Sequence, residues 1–203
     1  MIHASYNRRT VGGRTARKAF LIVCEGAKTE PQYFRAFKLS SVDVEGTGKN
    51  TSSLVDHAIR LKAEREGYDQ YWCVFDRDSF PAQAFNAALQ KAENAGIRVA
   101  YSNQAFELWY LLHFDYSDAA LDRSLYGSKL TDRLGRPYKK NDPTIFDTLR
   151  ERQQQAIRNA RTLLASHGPD HNPEKDNPCT TVHHLVEELN AQAAANAQDQ
   201  SRK

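Results

Sequence analysis

No run of apolar residues in this sequence approaches the eighteen or so that a membrane-spanning helix needs. The first residues also lack an apolar stretch of the secretory kind. Together these absences predict a cytoplasmic protein. Cysteine is scarce: Cys24, Cys73 and Cys179 form an odd set, two of them inside apolar runs. That distribution points to reduced core thiols and away from a disulfide framework. Acidic residues are missing altogether from the first 24 positions, which carry Arg8, Arg9, Arg14, Arg17 and Lys18. Setting those five charges against the net charge of +3 leaves residues 25–203 at −2. The excess positive charge therefore belongs to a leading arm, residues 1–18, suited to nucleic acid phosphates or simply to solvent. An acid-free, Arg-containing start is shared with organelle transit peptides, but no amphipathic helix accompanies it. Internal repeats are absent, as is an aromatic-rich platform of the kind that single-strand binders use.

At 203 residues the chain has the length and apolar content of one ordinary domain. From Ala19 to about His113 it alternates strand and helix. A strand over 19–24 leads to a helix near Thr29, where the Thr29 hydroxyl and Gln32 form the pattern of a capping box. Tyr33, Phe34 and Phe37 share one face of that helix. A short strand at 41–44, a helix at 52–66, the strand "YWCVF" at 71–75 and a helix at 81–94 closed by Gly96 follow. The strand "IRVAYS" at 97–102 then leads to the apolar helix "AFELWYLLHF". This alternation predicts an α/β fold with a central parallel sheet and flanking helices. Right-handed crossovers gather the strand C-termini along one edge, where ligands of open α/β sheets collect. Residues 115–141 read as a long charged loop, 144–166 as a long helix, 167–178 as a second loop and "TTVHHLVEEL" as a last short helix. Thr180 or Thr181 is its N-cap, and the tail from about 191 is expected to fray. The corresponding division is an arm at 1–18, an α/β core at 19–114, a loop and helical extension at 115–190 and a tail at 191–203.

Glu25 stands directly where the first apolar strand stops, with no capping duty to explain it. Asp76 and Asp78 end the third strand two residues apart, so strand alternation sends both to the same side. If the two strands are neighbours, three carboxylates meet at one edge. Such a group raises its own pKa values unless a positive charge lies between them. A hard divalent cation with oxygen ligands, Mg²⁺ or Mn²⁺, answers that requirement and can activate water and stabilise a phosphoryl oxyanion. The bland alternative is a turn in which Asp78 or Ser79 caps the next helix. A phosphate-binding loop is excluded: Gly26-Ala27-Lys28-Thr29 has a residue too many between glycine and lysine, and no glycine stands five positions earlier. "VFDRDSF" also resembles the aspartate-nucleophile motif of haloacid-dehalogenase-type phosphatases, with Asp76 as nucleophile and Asp78 as acid. That motif ends their first strand, whereas here it ends the third and leaves Glu25 unused.

A glutamate after strand one and Asp-x-Asp after strand three resemble the Toprim metal-binding domain of topoisomerases, primases and OLD-type nucleases. The stretches "LIVCEGAKTEPQYF", "VFDRDSF", "SNQAFELWYLLHF", "YKKND" and "NPCTTVHHLVEEL" resemble, in order, RloB-like (AbiL-type) proteins. The resemblance implies a Toprim-like fold, a role in bacterial phage defence or abortive infection, nuclease activity and an AAA-type ATPase partner. It matches Glu25 to the Toprim glutamate, a metal ligand or general acid/base, and Asp76 and Asp78 to its metal-binding pair. Glu30 matches a later acid of the OLD-type pattern with one extra residue of spacing. Gln104 stands where relatives carry proline, a departure expected to relax that turn.

Secondary candidates complete the reading. Glu107 is a charge inside an otherwise apolar helix and is expected to face solvent or a site. Lys140, of the pair Lys139-Lys140, is a candidate phosphate ligand. His167, His171, Cys179 and His183 have zinc-like spacing, but an N-capped helix with Leu185, Val186 and Leu189 packed inward accounts for the segment more simply. None of the tyrosines is marked as a covalent nucleophile. The expectation is a Mg²⁺-dependent nuclease with Glu25, Asp76 and Asp78 holding the ion, Lys140 and the arginine arm positioning nucleic acid, and Glu30 and Glu107 supporting them. The competing class is a non-catalytic Toprim-like module that binds nucleic acid or the ATPase.

Overall fold

The computed structural model describes residues 18–78 and 82–201. The arginines of the expected arm, and Ser79 to Pro81, lie outside the described residues. Five strands form one sheet in the order β2-β1-β3-β4-β5. They are β1 (Phe20–Cys24), β2 (Val42–Gly46), β3 (Gln70–Arg77), β4 (Arg98–Asn103) and β5 (Cys179–Thr180). The first four are parallel. β5, a two-residue edge strand, pairs antiparallel with the end of β4, and Thr181 follows it as the expected N-cap position of the last helix, though without a side-chain cap bond. Such a short segment carries no periodicity of its own, and its pairing is set by its neighbour.

β1 is buried along its whole length, which explains its unbroken apolar run in place of alternation. Its two faces feed two cores. Phe20, Ile22 and Cys24 pack with Trp72, Val74 and Ala100, with Tyr33 and Phe34 of helix α1 (Thr29–Arg35), and with the helices that follow β4. Leu21 and Val23 pack with Cys73, Phe75 and helices α2 (Thr51–Glu64) and α3 (Ala82–Asn94) on the opposite face. The three cysteines are free and buried. Tyr33 sits at the centre of the first core, with edge-on rings of Phe34, Phe106 and Phe146 within 6 Å.

The remaining helices are α4 (Glu107–Leu111), α5 (Tyr126–Leu134), α6 (Ile145–Leu149), α7 (Gln153–Ser166) and α8 (Val182–Gln200). Several expectations need correcting. The supposed loop at 115–141 contains a 3₁₀ turn, Arg123–Leu125, and then α5, whose Tyr126 and Leu130 are buried. Dense charge on its outer face hid its apolar stripe. The single helix expected at 144–166 is two, because a 3₁₀ turn at Arg150–Arg152 separates α6 from α7. Helix α1 begins at Thr29 as expected, but no side chain caps it, because the Thr29 hydroxyl donates to Asn141 Oδ1 at 2.8 Å. The tail expected to fray from 191 is helical as far as Gln200. Gln192 is buried there and accepts the Lys18 backbone N–H at 2.9 Å. That contact ties the last helix to Lys18, two residues before β1. No helix among the described residues is long and apolar enough to cross a membrane.

Leu185, fully buried between α8 and the first core, gives a direct measure of how far α8 supports the sheet. Leu185→Ala is expected to cost about 2–5 kcal/mol, the range for an apolar truncation that leaves a cavity. Urea unfolding of the two proteins checks this through the shift in midpoint at unchanged slope.

Candidate functional site

β1 leads through α1 to β2 on one side, while β3 and β4 follow on the other side of β1. The strand order therefore reverses between β1 and β3, and the chain leaves these neighbouring strands toward opposite faces. The crevice at such a switch point is the ordinary ligand site of an open α/β sheet. Glu25 follows β1 there, and Asp76 lies in β3 one residue before its end.

Glu25 faces the α2 side. Its carboxylate accepts the Thr51 hydroxyl at 3.3 Å and the Asp76 backbone N–H at 3.1 Å. Burial pushes its pKa up to about 7, with the Asp78 and Glu30 charges adding to the rise and the Asp76 and Thr51 hydrogen bonds opposing it. Asp76 has the alternation of Trp72 and Val74 and so points to the other face, toward α1 and α4. Burial raises its pKa strongly, and the charges of Glu30, Glu107 and Glu25 raise it further, while the Phe106 backbone N–H opposes.

Glu30 and Glu107 are both buried. Burial also lifts the Glu30 carboxyl; the Glu107 charge reinforces the rise, while its own backbone N–H and Lys140 counter it. The Glu30 carboxylate lies across Gly26: a Cβ at residue 26 would stand 2.0 Å from Glu30 Oε2. The glycine after Glu25 therefore makes room for the second acid, and the extra residue of spacing still returns Glu30 to the site. The Tyr138 hydroxyl donates to Glu107 Oε1 at 3.1 Å. Glu107 thus faces the site, as one of its two expected positions allowed.

Two further expected participants border this group. β3 ends at Arg77, so alternation stops before Asp78. Asp78 lies near enough to Glu25 for its charge to raise that carboxyl, and its Oδ2 lies 3.1 Å from Arg123 Nη1. Lys140 is exposed and acts on Glu30. Its loop is fastened over α1 by the Thr29–Asn141 bond, and Asn141 takes a left-handed backbone, φ 71°. Among the described residues, no three His, Cys, Asp or Glu side chains are gathered closely enough to hold a metal ion. The donor set nevertheless has the chemistry a hard cation takes, oxygen only and electrostatically crowded.

Sequence reasoning missed Arg123, Tyr138 and Thr51. Arg123 and Tyr138 lie in the segment read as a charged loop; Tyr138 opens the stretch "YKKND", which assigns it no role, and no local pattern marks Arg123 or Thr51. Gln104 has a duty that the expected relaxed turn did not include: its Oε1 accepts the Arg123 backbone N–H at 3.1 Å. The His/Cys segment is a hydrogen-bonded clasp. His171 Nδ1 lies 2.5 Å from Asp176 Oδ2, and its Nε2 lies 2.7 Å from the Tyr101 hydroxyl. His167 bonds the Pro178 carbonyl. His183 is buried apart from them on α8, and burial brings its pKa down to about 3. A cavity of about 580 Å³ beside β4, lined by Trp72, Leu89, Ile97, Arg98, Tyr101 and His184, lies away from the carboxylate edge.

A central sheet flanked by helices, a helical C-terminal extension and acids at the strand-one and strand-three edge define a Toprim-like domain. The model of the RloB-like protein family matches residues 20–189, and the chain belongs to that family, which is Toprim-related. No curated protein and no solved structure matches the chain.

The raised pKa of Glu25 has a stability consequence. Its folded value, about 7, lies above the ordinary 4.5, so the native state keeps a proton that the unfolded chain loses between those values. Stability therefore falls as pH rises through this window, and the full penalty is present above pH 7. Glu25 is only partly buried, and screening reduces the penalty to about 1–2 kcal/mol. In EDTA, Glu25→Gln is expected to melt about 3–6 °C above the wild type at pH 8. The gain should vanish near pH 4, which thermal melts across the range will reveal.

Proposed function

We propose that this protein is a Mg²⁺- or Mn²⁺-dependent nuclease, an effector of bacterial phage defence that works with an AAA-type ATPase. The observation that carries the reading is the crowding of Glu25, Glu30, Asp76 and Glu107 at one switch-point edge. Mutual repulsion of buried carboxylates is costly to fold around unless a cation relieves it. Family membership supports the same reading.

Glu25, Asp76 and Asp78 would hold the cation, which when bound supplies the positive charge that offsets the carboxylates and polarises a phosphodiester. Thr51 and the Asp76 backbone N–H fix the Glu25 carboxylate. Without the cation, burial holds the Glu25 carboxyl up to about 7, so binding a cation there would release a proton near neutral pH. The Phe106 N–H aligns Asp76, and Tyr138 aligns Glu107. Lys140, exposed beside Glu30, offers one contact to the polyanion, and Arg8, Arg9, Arg14 and Arg17 offer further ones. An aspartyl-phosphate route fits less well, because Asp76 stands on the third strand, where that motif ends the first, and the route leaves Glu25 unused.

One observation favours a second reading, a Toprim-like module that binds nucleic acid or the ATPase without cleaving. No three described acids are in coordinating geometry, and Asp78 is engaged by Arg123. A cleavage panel of tRNA, single-stranded DNA and duplex DNA with each metal, with and without the ATPase, separates the two readings. Cleavage requiring Mg²⁺ or Mn²⁺ and falling at least ~100-fold in Asp76→Asn is expected. No cleavage under any condition refutes the enzyme, and undiminished activity in Asp76→Asn refutes the site.

A further inference from the structure

Arg123 is the cation that the tertiary structure brings to this edge from outside every motif described above. It opens the 3₁₀ turn Arg123–Leu125, some 45 residues from its partner Asp78. Its backbone is held twice. Its own N–H donates to Gln104 Oε1, and the next residue, Ser124, is capped by Asp122 Oδ1 at 2.9 Å. Its side chain is only loosely held, because Arg123 is 45% exposed and Asp78 is 32% exposed. An ion pair of that kind is weak and readily exchanged. The result is a fixed base carrying a long, partly exposed guanidinium.

A guanidinium recognises carboxylate and phosphate by the same planar fork of donors, so passing from one to the other needs no change of chemistry. Arg123 and Lys140 also flank the acids on two sides, Arg123 against Asp78 beyond β3 and Lys140 against Glu30 on α1. A strand lying across that edge meets repulsion over the carboxylates and attraction at either flank.

We propose that Arg123 is an exchangeable counter-ion and the nucleic-acid phosphate ligand of this site. It balances Asp78 in the free protein and exchanges that carboxylate for a phosphate oxygen when nucleic acid binds, which leaves Asp78 open to a cation. The inference deepens the nucleic-acid reading above and rests on it, but it assigns the contact to a residue that no motif marked.

Two measurements on the full chain test it. The first uses fluorescein-labelled duplex DNA and an RNA hairpin in EDTA, with binding followed by anisotropy from about 50 to 200 mM KCl. Arg123→Ala is expected to weaken binding about 5–10-fold and to lower the slope of log K against log salt by about one, the signature of one lost phosphate contact. Arg123→Lys should keep the slope. The second measurement is calorimetric titration with Mn²⁺ alone. Losing a competing cation should tighten Mn²⁺ binding about 3–10-fold in Arg123→Ala, whereas a merely structural role would leave it unchanged or weaker.

An unchanged salt slope overturns the proposal, as does wild-type protein that binds neither probe. Unchanged or weakened Mn²⁺ affinity in Arg123→Ala overturns the counter-ion half. A wild type that binds no Mn²⁺ refutes both that half and the cation-dependent reading of the site, while the salt slope in EDTA still decides the phosphate contact.

Discussion

Carboxylate repulsion at the β1–β3 edge is the constraint around which the rest of the site is arranged. Asp76 and Glu30 are pressed together with Glu107, and Glu25 stands on the far side of the same crevice. Burial strengthens every one of these repulsions, because little water remains to screen them. What opposes them is a ring of donors from elsewhere in the chain. Thr51 from α2, the Asp76 and Phe106 backbone N–H groups, Tyr138, Lys140 and Arg123 each face one acid. A fold serving only its own stability would not retain so much like charge in one place, since apolar groups of the same size pack at no such cost. That argument, more than any single contact, is what supports the proposed function of the edge.

The C-terminal half of the chain is organised around this edge and does more than append helices to a sheet. The 3₁₀ turn at Arg123–Leu125 reaches Asp78, and the following loop brings Tyr138 to Glu107 and Asn141 to Thr29. Arg77, between the two aspartates, pairs with Glu174 in the loop before β5. That loop is clasped in turn by the Asp176–His171–Tyr101 chain of hydrogen bonds. The helices beneath supply the support. α7 and α8 share the first core with β1, and Asn159 donates to the Leu112 carbonyl at 2.8 Å, fixing α7 against the end of α4.

How far the sequence carried depended on range. Apolar runs bounded by turns identified β1, β3 and β4 within one or two residues, because a buried parallel strand is apolar on both faces. The position of Glu25 at the end of such a run was visible for the same reason. α5 and β5 were not visible. α5 buries only a narrow stripe under a charged surface, and β5 exists through two hydrogen-bonded residues of β4. The break between α6 and α7 also escaped, since the polar stretch 150–155 between Leu149 and Ala156 consists of helix-compatible Arg, Glu and Gln and holds no glycine or proline to mark a stop.

By itself the sequence determined the α/β order, the identity of the acids and the strand ends that carry them, because these follow from hydrophobic period and chain direction alone. Only the tertiary structure decided how the acids are shared out. It turned Asp76 inward beneath α1 and α4, left Asp78 beyond the last strand residue with Arg123, and returned Glu30 over Gly26 despite its extra spacing. These outcomes rest on which elements pack on which face and on long-range partners such as Arg123, Tyr138 and Asn141. No local pattern encodes such pairings, because the free energy that selects them is realised only when distant segments are brought into contact.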